Sequence, residues 1–191
     1  MKGKRSTSSS GKKENQDPSI PSLSTAFTKP ALFIDGSVNT RSNIGYGAYL
    51  AVFDRELSLD SLRALVKVKQ FMHTSSTKLE LQTLLWALSD MQASVRRVIV
   101  YTDSQNILGL NGRRERFEQN DYRSKKNKRL TNYGLYQEFY RITDQFDFEV
   151  VKVSGHQATN QKDDIGRLFT LVDKASRNAL RRDNRCPVVF D

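Results

Sequence analysis

ALFIDGS (Ala31 to Ser37) and RVIVYTD (Arg97 to Asp103) are two short apolar runs, each followed by a carboxylate. Runs of this length, rich in Val, Ile and aromatics, read as buried strands ended by turn-type residues. If the two strands are parallel neighbours, Asp35 and Asp103 emerge together at the carboxyl edge of one sheet. That edge is where α/β sheets hold ligands, above all where the strand order switches.

The segments around these two runs supply the rest of an α/β fold. Tyr46 to Phe53, introduced by Gly45 and Gly47, reads as a second strand. Leu65 to Met72 reads as a third, with Val66 and Val68 alternating against Lys67 and Lys69. Short connections make these an antiparallel meander with the first strand. Leu81, Leu84, Leu85 and Leu88 then switch to helical spacing, and Thr77-Lys78-Leu79-Glu80 ahead of them reads as a capping box. Ser104 to about Gln119 is expected to be helical, and Leu135, Phe139, Ile142 and Phe146 mark another helix. Phe148 to Val153 is the fifth strand, and Ile165, Leu168, Phe169, Val172, Ala175 and Ala179 face the last helix inward. The expected architecture is a five-stranded mixed sheet flanked by helices.

A chain of 191 residues accommodates one such domain and a tail. Residues 1–28 hold seven serines, Pro18, Pro21 and five Lys or Arg, with few apolar residues to offset ordering entropy; they read as a disordered basic tail. The catalytic-type domain is then expected over 29–183, with a short tail over 184–191. No apolar stretch approaches the roughly 20 residues that span a bilayer, and no apolar core follows the basic start, so membrane and secreted classes are not expected. A lone cysteine, Cys186, makes neither a disulfide framework nor a zinc site. The expectation is a monomer in the cytoplasm, with nucleus or organelle left open. Lys and Arg number 31 against 21 acids, a formal charge of +10, which points to a polyanionic partner, nucleic acid first.

Four acids stand out by context: Asp35 and Asp103 after strands, Glu80 at the start of the helix after the third strand, and Asp173 in the last helix beside Val172. Each has an ordinary use when taken singly. Asp35 can open a turn, Asp103 can cap a helix, Glu80 can complete the capping box, and Asp173 can pair with Arg177 at i+4. Brought together at one sheet edge they would repel unless cations sat among them. Oxygen-only donors suit Mg²⁺ or Mn²⁺, and two such ions can activate water and stabilise a leaving oxygen in phosphodiester cleavage.

From residue 30 to 182 the sequence resembles the type 1 ribonuclease H family, which implies an RNase H-like sheet of three antiparallel strands joined to two parallel ones, flanked by helices. The matching segments are LFIDGS (32–37), GYGAYL (45–50), TSSTKLELQTLLWAL (74–88), VIVYTDSQNI (98–107), LTNYGLY (130–136), VKVSGH (151–156) and LVDKASR (171–177). The resemblance implies a metal-binding set of Asp35, Glu80, Asp103 and Asp173, holding two Mg²⁺ ions with Mn²⁺ as a possible substitute. It implies endonucleolytic hydrolysis of the RNA strand of an RNA/DNA hybrid, leaving 5′-phosphate and 3′-hydroxyl ends. His156 matches a loop histidine that assists proton movement or product release. Ser75, Ser76 and Thr77 stand where the family touches DNA phosphate and RNA 2′-hydroxyls, and Asn132 matches an asparagine that contacts the DNA strand. Eight Lys or Arg lie between Gly112 and Leu130, Arg123, Lys125 and Lys126 among them, and resemble the family's basic handle.

The sequence also departs from that pattern. His156 and Asp173 are 17 positions apart, with Asp163-Asp164 between them, Phe169 replaces a frequent asparagine, and the handle has no tryptophan. Two other readings compete: a different nuclease or transposase on the same architecture, and a basic binding module with a degenerate site. Ser37 stands where proofreading-type exonucleases carry a second acid, and all four acids are present where a degenerate site would have lost some. Gly45-Tyr46-Gly47 lacks the strand-to-helix context of a dinucleotide loop, and there is no Gly-x-Ser-x-Gly elbow.

Overall fold

The computed structural model describes residues 29–53, 57–91, 97–145, 147–153 and 163–185. Along the chain these form β1 (Ala31–Asn39), β2 (Ile44–Val52), α1 (Leu59–Ala64), β3 (Lys67–Phe71), α2 (Ser76–Met91) and β4 (Arg97–Thr102). There follow α3 (Gln105–Leu108), a 3-10 turn at Asn111–Arg113, α4 (Arg114–Gln119), α5 (Tyr133–Thr143), β5 (Asp147–Lys152) and α6 (Asp164–Arg185). The sheet order is β3-β2-β1-β4-β5. β1–β2 and β2–β3 are antiparallel, whereas β1–β4 and β4–β5 are parallel, the arrangement that the family resemblance implies.

Strand alternation divides the core between the two sheet faces. Leu32 and Ile34 join Leu84, Leu88, Val98, Val100 and Phe139 beneath α2 and α5. Ala31 and Phe33 join Ala48, Leu50, Leu62, Leu168 and Val172 beneath α1 and α6. Both faces of β1 are covered, which explains why its start is continuously apolar.

Several boundaries differ from the sequence reading. β1 does not end at Ile34: Asp35 pairs with Ala48, Gly36 with Gly47 and Ser37 with Tyr46, and the strand continues to Asn39. Asp35 therefore opens no turn; the chain reverses at residues 40–43, where Asn43 takes φ 55°. The expected helix from Ser104 to Gln119 is broken after Leu108, at Gly109, into α3, the 3-10 turn and α4. α1 was not foreseen; the Ser58 hydroxyl caps it by accepting from Ser61 N at 3.2 Å, and Leu65 is its C-cap instead of the start of β3. Phe146 lies outside the described residues.

Candidate active site

Register settles where the first two acids go. Phe33 of β1 lies beside Tyr101 of β4 in the parallel ladder, so Asp35 and Asp103 each stand two residues beyond a matched pair. Past Phe33, β1 stays with β2, and its described pairing with β4 ends. The gap that opens there is flanked by α2 on one sheet face and α6 on the other. Asp35, Glu80, Asp103 and Asp173 all line one cavity of about 200 Å³, together with Gly36, Ser37, Thr83, Thr102 and Arg177. Four acids separated by up to 138 positions in the chain, from Asp35 to Asp173, therefore share one pocket.

Three of the four acids are held by a specific neighbour. Ser176 donates to Asp35 Oδ2 at 2.6 Å. Ser104 donates to Glu80 Oε2 at 2.5 Å, and its oxygen also caps α3 by accepting from Ile107 N at 3.2 Å. Arg177 pairs with Asp173 at 2.8 Å, which is the i+4 partnership the sequence allowed. Asp103 is exposed and is not the cap of α3, because Ser104 takes that position. Glu80 completes no capping box: α2 starts at Ser76, which puts Glu80 in the second turn. The hydroxyl meeting Lys78 N, at 3.4 Å, is that of Ser75 and not Thr77.

Electrostatics agree with crowding of like charge. Burial pushes the Asp35 carboxyl above its ordinary value, with repulsion from Asp103 and Asp173 adding to it and the Ser176 and Gly36 hydrogen bonds opposing. Glu80 is raised by burial, with Asp103 and Asp35 adding and Ser104 opposing. Among the described residues, no three His, Cys, Asp or Glu side chains form a ready-made metal cluster. The donor chemistry nevertheless fits a hard divalent cation. The acids are oxygen donors around one pocket, and burial, with like-charge repulsion added, raises two of them, Asp35 and Glu80.

A family model described as RNase H matches residues 28–180. The chain belongs to the RNase H family. A solved structure of the foamy viral protease–reverse transcriptase in complex with dsDNA aligns with this RNase H domain at a TM-score of 0.57. The alignment covers 84% of this chain and 99% of that one at 14% identity, a likeness of fold. No curated protein sequence matches.

The other expected site residues are spread over neighbouring elements of the RNase H domain. Ser75, Ser76 and Thr77 are exposed at the start of α2, one turn before Glu80. Asn132 is half-buried at the N-cap of α5, where its side chain makes no capping bond. His156 lies outside the described residues. The basic segment is less uniform than its composition suggests. Arg113 bonds Gly109 O and Asn106, and Arg114 reaches both Glu118 and Asp144. Arg123 and Arg129 share Asp121, and Arg129 also stacks 4.7 Å over Tyr133. These arginines are engaged by neighbouring groups, whereas Lys125, Lys126 and Lys128 are exposed with no ion-pair partner among the described residues. Ser104 and Ser176 escaped the sequence reading. Ser104 adjoins Asp103 and Ser176 follows Asp173 by one helical turn, but serine at such spacing carries no signal until its partner is known.

Proposed function

We propose that this RNase H domain is a magnesium-dependent endoribonuclease that hydrolyses the RNA strand of RNA/DNA hybrids, leaving 5′-phosphate and 3′-hydroxyl ends. The observation that carries the reading is the shared cavity of Asp35, Glu80, Asp103 and Asp173, in a chain whose family is generally dependent on divalent metals. Those four residues would hold two Mg²⁺ ions, with Mn²⁺ as a substitute. Bound ions of this kind lower the pKa of a coordinated water and neutralise charge on the scissile phosphate.

The chain's own groups do the rest. Ser75, Ser76 and Thr77 present hydroxyls able to both donate and accept, which suits the RNA 2′-hydroxyl and the partner strand's phosphate. Asn132, its amide free of capping duty, contacts the DNA strand. Lys125, Lys126 and Lys128 follow the backbone electrostatically without reading sequence. His156 exchanges protons with water or phosphate near neutral pH. In this reading residues 29–183 form a monomeric, cytoplasmic catalytic domain, with 1–28 and 184–191 as tails.

Labelled substrates decide the matter. With Mg²⁺ the chain should cut hybrid RNA and leave single-stranded RNA and duplex DNA largely intact, and EDTA should stop cleavage. Equal cutting of all three substrates would refute the hybrid assignment. Changing Lys125, Lys126 and Lys128 together to Ala should weaken hybrid binding and flatten its log–log salt dependence by about 3, roughly one per lost phosphate contact. Because these side chains hold nothing else, kcat and thermal stability should stay near wild type. A salt slope equal to that of the parent would show that the handle lysines do not meet the substrate.

A further inference from the structure

We infer that Ser176 is a positioning residue for Asp35: its hydroxyl fixes the orientation of that carboxylate and so sets how tightly the pocket takes a divalent cation. The inference rests on the reading of the pocket as a Mg²⁺ site.

Ser176 sits inside α6 with 0% exposure. A helix interior prefers alanine to serine, and burying a hydroxyl is unfavourable unless it is bonded. Packing therefore gives no reason for an oxygen at this position. Its single proton has two acceptors within reach, Asp35 Oδ2 at 2.6 Å and the Asp173 carbonyl at 3.1 Å. The second is the ordinary back-bond of a mid-helix serine. The first is shorter and charge-assisted, so it takes the proton. The oxygen then accepts from the Ser37 hydroxyl, 3.2 Å away. Ser37 lies two positions beyond Asp35 on β1, on the same sheet face. Two hydroxyls in series thus lead into the carboxylate, each polarising the next.

The geometry also couples two acids that the fold holds only indirectly. Ser176 is one turn beyond Asp173 on α6, while Asp35 belongs to β1. The Ser176–Asp35 bond ties the strand acid to the helix that carries its neighbour, so their separation no longer depends on backbone packing alone. Ser104 makes a comparable bond to Glu80 but is already explained as the cap of α3. Ser176, inside α6, caps no helix among the described residues.

The test titrates the full chain with Mg²⁺ alone by calorimetry and follows thermal unfolding in EDTA. Ser176→Ala, equal in shape but lacking the oxygen, should bind Mg²⁺ about 10- to 100-fold more weakly, the usual effect of removing a hydrogen bond to a metal ligand. Its melting temperature in EDTA should fall by no more than the several degrees that one lost hydrogen bond costs, and kcat should recover as Mg²⁺ is raised. Ser176→Thr, which retains the hydroxyl, should restore affinity to within a few-fold. Ser176→Cys, similar in volume but a weak donor, should fall between, and it serves if the alanine variant folds poorly. Wild-type affinity in the Ala or Cys variant overturns the inference and leaves the metal site standing. A folded wild-type chain that takes up no Mg²⁺ overturns the reading of the pocket itself.

Discussion

Asp35→Asn should lower hybrid cleavage by roughly 1,000-fold or more while leaving the protein folded. The substitution keeps the shape of the side chain and one oxygen able to accept from Ser176, and replaces the charge and the second oxygen with a neutral NH2 donor. Several kcal/mol of transition-state stabilisation from a bound metal translate into three or more orders of magnitude in rate. Asp35 is the sharpest choice because it is half-buried and feels both Asp103 and Asp173. The same variant should be more stable than wild type in EDTA, and the pH dependence gives the reason. Below about pH 3.8 Asp35 is protonated folded or unfolded and contributes nothing. As pH rises, the unfolded chain ionises first, while the folded state holds its proton up to the raised pKa. Stability from this group therefore falls across that interval and stays lower above it. Glu80 adds a loss of the same sign beginning near 4.5. Melting curves in EDTA from pH 4 to 7 should show the gap between variant and wild type widen with pH, and added Mg²⁺ should stabilise wild type selectively. Cleavage near the wild-type rate by Asp35→Asn would end the carboxylate reading of the site.

How much of this could be read in advance depends on whether the cause is local. Asp35 and Asp103 were legible because each follows an apolar run, although Asp35 stands within β1 and only Asp103 lies past its strand. Asp173 was legible from its place beside Val172 on a strongly amphipathic helix. What escaped the sequence are features fixed by a distant partner. Asp35-Gly36-Ser37 looks like a turn, but Gly36 and Gly47 are cross-strand partners, small because α2 lies on them. Ser176 looks like a solvated helix residue and is fully buried against β1. The basic segment reads as uniform charge, yet Arg113 and Arg114 are structural fasteners with partners as far off as Asp144. The order of elements follows from periodicity, whereas the function of a small residue follows from what approaches it.

That last point predicts the second large effect, at Gly47. A Cβ added there would lie 2.0 Å from Thr83 Oγ1 and 3.0 Å from Thr83 Cβ and Cγ2. Thr83 has 0% exposure, and its hydroxyl is held by Leu79 O at 2.8 Å, so it cannot swing aside. Backbone strain is not at issue, since no described glycine has positive φ; the requirement is space. To admit a methyl, α2 must lift from the sheet. Overpacking of this kind costs about 1–3 kcal/mol, and each kcal/mol lowers Tm by roughly 2–4 °C in a domain of this size. Gly47→Ala should therefore melt about 2–12 °C lower, and Gly47→Val lower still. The effect on catalysis should exceed the effect on stability, because Glu80 rides on α2 three residues before Thr83. A shift near 1 Å in a reacting constellation costs on the order of 100-fold. Thr83→Ala in the Gly47→Ala background removes the 2.0 Å clash and should return much of both losses. Gly134→Ala is the control: nothing lies within 4 Å of its added methyl on α5, and stability should rise by about 0.4–1 kcal/mol with cleavage unchanged. If Gly47→Ala cuts hybrid at the wild-type rate, the close seating of α2 is not what brings Glu80 to Asp35.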